Sequence, residues 1–128
     1  MGSRYLLDSN TVIDYVGELL PEPVAMTLDS MFNEELNISI VVYIEVLGFN
    51  GRIESMKRLQ AFLDMGSIYY VNRIVALQTI AIRKKHKIKL PDAIIAATAM
   101  VHNFTLLTRN TSDFKKIEGL LIANPHEL

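Results

Sequence analysis

The stretch YLLDSNTVIDYV, residues 5–16, changes character in its middle. Tyr5 to Leu7 is a short apolar run of the kind a buried strand uses. It breaks into DSNTVIDYV, where Asp8 or Ser9 can cap a helix running toward Gly17. A strand feeding directly into a helix is the first half of a unit that returns a second strand parallel to the first. The rest of the chain repeats the pattern. EPVAMTLDSMF (22–32) has helical spacing of Val24, Leu28 and Met31, and LNISI (36–40) alternates with β-branched residues as a strand does. Val41 to Phe49 reads as a short helix interrupted by Gly48, with Glu45 in its middle. RIESMKRLQAFLDM (52–65) is an amphipathic helix with Ile53, Met56, Leu59 and Phe62 or Leu63 expected inward.

SIYYV (67–71) is a strand, and RIVALQTIAIRKKH (73–86) is a helix ending in positive charge, as its dipole prefers. Pro91 then opens the helix of LPDAIIAATAM (90–100), at a position where proline loses no hydrogen bond. TLLT (105–108) and GLLIA (119–123) are the remaining strands. Strands alternating with helices, and strands apolar almost throughout, predict a three-layer α/β/α sandwich around a central, mainly parallel sheet. In such sheets ligands bind beyond the carboxyl ends of the strands.

The chain has 128 residues and no cysteine, which excludes thiol catalysis and a disulfide framework. No linker, repeat or low-complexity tract divides it, so residues 1–128 read as one domain, with the opening MGS outside the pattern that begins at Arg4. His86, His102 and His126 lie far apart, which argues against a histidine metal site. There is neither a signal-peptide pattern nor an apolar run near the length of a membrane span, and the chain reads as cytoplasmic. Its net charge of −1 does not suit a protein that merely coats nucleic acid. The distribution is more informative: residues 5–51 hold eight acids and no Lys or Arg, whereas twelve basic residues face six acids from residue 52 onward. That asymmetry is compatible with an acidic centre beside a basic surface, and equally with a solvated acidic face.

Four acids stand where such a centre would form. Asp8 directly follows the first strand, and Asp113 lies in the segment after TLLT, together with Thr108, Arg109 and Asn110. Helix capping and turn chemistry explain both locally. Glu45 has apolar neighbours on both sides, where an unpaired carboxylate is expensive, so it must face a polar crevice or find a cation. Asp92 complements the dipole of its helix, and Ala93, Ala96, Ala97 and Ala99 would let that helix pack closely on a sheet. If the four met, repulsion would raise their pKa values until cations neutralised them. An oxygen-only set favours Mg²⁺ or Mn²⁺ over Zn²⁺, and such ions activate water for phosphodiester hydrolysis.

These segments together, YLLDSNTVIDY, IEVLG, KLPDAIIAATAM and LLTRNTSDF, resemble the PIN-domain ribonucleases, and among them the VapC-type toxins of toxin–antitoxin pairs. The resemblance spans nearly the whole chain. It implies that Asp8, Glu45, Asp92 and Asp113 bind Mg²⁺ or Mn²⁺ and position the attacking water, with Asp8 and Asp92 as direct ligands and Glu45 and Asp113 acting directly or through water. Asn10 and Thr108 would orient carboxylates or waters, while Arg109 and Asn110 would touch the scissile phosphate or fix the loop. It further implies an RNA substrate, often structured RNA such as transfer RNA, a homodimer, and a cognate antitoxin protein. VIDYVGELLPEPVAM (12–26) is expected to form part of the antitoxin contact, or else ordinary helix packing. The basic run RKKHKIK (83–89), with Lys115 and Lys116, could carry phosphate contacts or simply complete a helix terminus. Two alternatives remain at this point: a phosphatase of the haloacid dehalogenase kind, which wants a second acid where Asn10 stands, and a non-catalytic protein-interaction module.

Overall fold

The computed structural model describes residues 3–128; Met1 and Gly2, within the MGS set aside above, lie outside the described residues. The element order is β1 (Tyr5–Leu7), α1 (Ser9–Val16), α2 (Glu22–Glu34), β2 (Asn37–Ser39), α3 (Ile40–Leu47), α4 (Ile53–Asp64), β3 (Ser67–Tyr69), α5 (Arg73–Lys85), α6 (Leu90–Val101), β4 (Thr105–Leu107), α7 (Thr111–Phe114) and β5 (Ile122–Ala123), followed by a 3₁₀ turn at Pro125–Glu127. The five strands form one sheet, ordered β3-β2-β1-β4-β5, and every pairing is parallel. Leu6 pairs with Asn37 on one side of β1 and with Leu106 on the other. Leu6, Leu7, Ile38, Leu106 and Leu107 are all buried. Continuous apolar runs are what a strand covered on both faces requires.

The order of the strands has a consequence for function. The chain builds outward from β1 through β2 to β3, then crosses back and adds β4 on the other side. Neighbouring connections therefore diverge at the β1/β4 boundary and open a crevice beyond the strand ends. Asp8 leaves β1 there, and Thr108 leaves β4 beside it. The helix of LPDAIIAATAM is α6, and its Ala93, Ala96, Ala97 and Ala99 are buried together with Ile95. Side chains this small bring the helix backbone close to its neighbours.

Three local expectations change. The last strand is only Ile122–Ala123 rather than 119–123, because Gly119 turns the chain with a φ of 88°, a conformation that glycine adopts without Cβ strain. Ile53 was expected inward but is 73% exposed in the first turn of α4; Leu63 is the buried residue of that helix, and Phe62 joins an aromatic cluster with Tyr15 and Phe32. The short helix α7 and the 3₁₀ turn had no periodic signal, since four and three residues complete about one turn each. Among the described residues no helix is long and apolar enough to cross a membrane.

Candidate active site

Asp8 ends the first strand and caps α1, its Oδ1 accepting from the Ser9 backbone N–H at 2.8 Å. The local explanation offered by the sequence is therefore real. It leaves Oδ2, which accepts from the Thr108 hydroxyl at 2.8 Å and from the Asn10 amide at 3.2 Å. Asp8 is only 6% exposed, and burial raises its carboxyl above the ordinary 3.8, with the bonds from Thr108, Ser9 and Asn10 opposing the shift.

Thr108 and Asn10 join the two strand ends into one hydrogen-bonded unit. The Thr108 Oγ1 also accepts from the Asn110 backbone N–H at 3.0 Å, while Asn10 Oδ1 accepts from the Arg109 backbone N–H at 3.2 Å. Asn110 in turn donates its side-chain amide to Asp113 Oδ2 at 2.7 Å. Through these bonds the carboxylate on α7 is tied to the loop after β4. The Arg109 guanidinium donates to Asp14 Oδ2 at 2.6 Å, while its side chain stays about half exposed.

Glu45 lies on the exposed side of α3, which resolves the difficulty of a carboxylate in an apolar segment. Its Oε1 accepts from the Ser9 hydroxyl at 2.9 Å, so Ser9 holds Asp8 through its backbone and Glu45 through its side chain. Asp92 sits in the first turn of α6 behind Pro91, partly buried. Its carboxyl is raised above 3.8, first by burial, then by the charges of Asp8, Glu45 and Asp113, with Lys89 opposing. The four sequence-selected acids thus share one electrostatic neighbourhood.

Sequence reading missed two participants. Ser9 was seen only as a candidate cap, and its adjacency to Asp8 was the available signal. Asp14 was counted among the acids of the first third, yet it is 3% exposed and anchors Arg109; it lies three residues after Thr11, on the same buried face of α1. The histidines stay apart from the acids: His102 packs against Tyr69 and Phe104, and His86 lines a groove beside α5.

Among the described residues, no three His, Asp or Glu side chains gather tightly enough to enclose an ion by themselves. The donor set nevertheless consists of carboxylate oxygens, whose mutual repulsion at Asp92 is partly relieved by Lys89. Such a loose set suits a hard divalent cation that keeps several waters and takes one or two carboxylates directly. A hollow of about 400 Å³ lined by Arg4, Tyr5, Met31, Phe32 and Glu35 lies instead at the amino end of the strands, away from these acids.

Comparison with known proteins identifies the family of the chain. The family model for the PIN domain matches residues 5–120. Ribonuclease VapC1 of Rickettsia felis is 30% identical over 108 residues, covering 83% of this chain and 72% of that protein. A toxin–antitoxin complex from Klebsiella pneumoniae contains a chain 31% identical with a TM-score of 0.77, the match covering 97% of this chain and 99% of the other. VapBC2 from Rickettsia felis, bound to a DNA fragment from its promoter, superposes with a TM-score of 0.80 at 23% identity, over 94% and 97% of the two chains, a likeness of fold. The chain belongs to the PIN domain family and, within it, stands with the VapC-type proteins.

Proposed function

We propose that this chain, over residues 1–128, is a PIN-like nuclease domain that hydrolyses RNA phosphodiester bonds with Mg²⁺ or Mn²⁺, and that it is the cytoplasmic toxin of a toxin–antitoxin pair. The observation that carries the proposal is the buried Asp8 carboxylate, held by Thr108 and Asn10 between the ends of β1 and β4 and linked through Ser9 to Glu45. Three acids from other elements act on the Asp92 carboxyl, where a dipole or capping role would need only one acid at a time. Asp8 and Asp92 are assigned as direct ligands, with Glu45 and Asp113 acting directly or through water. When bound, the ion supplies an activated water and charge stabilisation for the departing oxygen.

The chain's own residues prepare that site. Thr108 and Asn10 hold Asp8 Oδ2, and Ser9 holds Glu45. Asn110 holds Asp113, while Arg109 is anchored on Asp14 and ties its loop to α1. A cation held there would favour the ionised form of Asp92, against the burial and the neighbouring acids that disfavour it. The phosphatase alternative has no support at its second position, because Asn10 there is an amide that donates to Asp8.

Partners follow from the relatives' names and from the surface. Between α1, α2 and α4 a groove of about 370 Å³ is lined by Tyr15, Val16, Leu20, Ala25 and Phe62, and within 12–26 Ile13, Leu19 and Met26 are exposed; this is where an antitoxin segment would lie. On α5, Ile74, Leu77 and Ile80 form an exposed apolar row suited to a second copy of the chain. The decisive experiment is cleavage of RNA by purified protein with Mn²⁺ or Mg²⁺, with chelator, and with Asp8→Asn. Loss of activity under both challenges is expected; activity that survives both overturns the proposal. A non-catalytic module predicts unchanged metal affinity in Asp8→Asn and Asp92→Asn.

A further inference from the structure

Asp14 stands where local rules disfavour it. It lies in the last turn of α1, the end of a helix at which negative charge is unfavourable, and it is 3% exposed. A buried carboxylate is tolerated where a cation or hydrogen bonds offset its lost hydration. Its partner is the Arg109 guanidinium, which comes from 95 residues away in sequence and is itself half exposed. What the pair constrains is the course of the loop after β4 against α1.

The backbone of Arg109 carries that constraint inward. Its N–H donates to Asn10 Oδ1 at 3.2 Å. At its other end Asn10 directs its amide protons into the acid site, one to Asp8 Oδ2 at 3.2 Å and one to Thr108 Oγ1 at 3.3 Å. The Thr11 hydroxyl also stands 3.3 Å from Asn10 Oδ1, but its single proton goes to the Leu107 carbonyl at 2.8 Å. The Arg109 N–H is therefore the donor that distinguishes the oxygen of the Asn10 carboxamide from its nitrogen. Turned end for end, the amide would set its oxygen against the Asp8 carboxylate. It would also face a Thr108 hydroxyl whose own proton already lies on Asp8 at 2.8 Å. Acceptors would then oppose acceptors, and Asp8 would lose a donor.

We propose that Asp14 is a positioning residue for the acid site: by anchoring Arg109 it holds the loop N–H that orients the Asn10 carboxamide, and with it Asp8 Oδ2. Neither Asp14 nor the Arg109 guanidinium needs to touch RNA or a cation for this. The consequence for metal binding rests on the nuclease reading above, whereas the orientation of Asn10 does not.

The test follows the Asn10 side-chain amide signals by NMR in the metal-free full chain, assigned by their loss in Asn10→Ala, and Mn²⁺ affinity by electron paramagnetic resonance. Asp14→Asn and Arg109→Ala should each shift the Asn10 signals in chelator, and Arg109→Lys, which keeps a cation for Asp14, should leave them nearer those of wild type. Each of the first two should weaken Mn²⁺ binding about tenfold, the low end for groups that orient a metal ligand. The double variant should weaken it no further than either one, because the two residues act as a unit. Unmoved Asn10 signals and unchanged Mn²⁺ affinity beside a lowered Tm overturn the proposal, since a purely structural pair behaves that way. So does weaker binding of single-stranded RNA in chelator by Arg109→Ala alone, with the Asn10 signals unmoved. If Asp14→Asn does not fold, Arg109→Ala, at a half-exposed position, carries the same readouts. Asn10 signals that respond in a chain whose wild type binds no Mn²⁺ uphold the orienting role and remove the cation reading. Mn²⁺ binding by wild type with Asn10 signals that do not respond removes the positioning role alone.

Discussion

Asp92 distinguishes a structural carboxylate from a site carboxylate by the sign of its effect on stability. A dipole-complementing acid stabilises its helix, so removing the charge should cost stability. Here burial and three neighbouring acids raise its carboxyl, as burial raises that of Asp8. The folded chain then holds more protons than the unfolded one above the ordinary value of 3.8. The stability these two groups contribute is complete below that pH and is lost as pH rises through the raised folded values. In divalent-free buffer at neutral pH, Asp92→Asn should therefore melt at a higher temperature than wild type, and the difference should vanish in acid. Equal or lower melting at neutral pH would leave only the dipole role. Arg109→Ala leaves the buried Asp14 carboxylate without its partner. The arginine is half exposed, so we expect a cost of about 1–3 kcal/mol, below that of a fully buried pair, read by urea denaturation.

At the scale of elements, α6 places Asp92 by packing rather than by hydrogen bonding. Its buried alanines leave no room for larger side chains. Ala96→Leu, one turn beyond Asp92, should destabilise the fold by about 1–3 kcal/mol in denaturant titration and displace the helix start. Pro91 and the alanine spacing made this helix readable, whereas α7 was not, because a four-residue helix shows no period. Asp113 was nevertheless found, through its place after a strand in LLTRNTSDF. The short helix that carries it became visible only in the structure, where Asn110 also bonds its carboxylate.

For the whole molecule, Asp8 and Thr108 meet because β1 and β4 are neighbours although about 100 residues apart in sequence. A cation that bridges their acids should stabilise the entire fold. At one hundred times its dissociation constant, Mn²⁺ or Mg²⁺ should add about 2.7 kcal/mol, a rise of several degrees in Tm that Asp8→Asn abolishes. The exposed row on α5 makes a second global prediction. Wild type should sediment as a dimer, and Leu77→Glu, at a position 53% exposed, as a folded monomer.

Composition, strand–helix alternation and four spaced motifs were enough to determine the sheet architecture and to single out four acids as candidates, because apolar periodicity and chain order are local properties. Only the tertiary structure decided what those acids do to one another. Repulsion at Asp92, the bridging of Asp8 and Glu45 by Ser9, and the capture of Arg109 by Asp14 depend on distances between segments that are remote in sequence. Burial likewise separated Leu63 from Ile53, since a helical stripe defines a face but not how far the core extends beneath it.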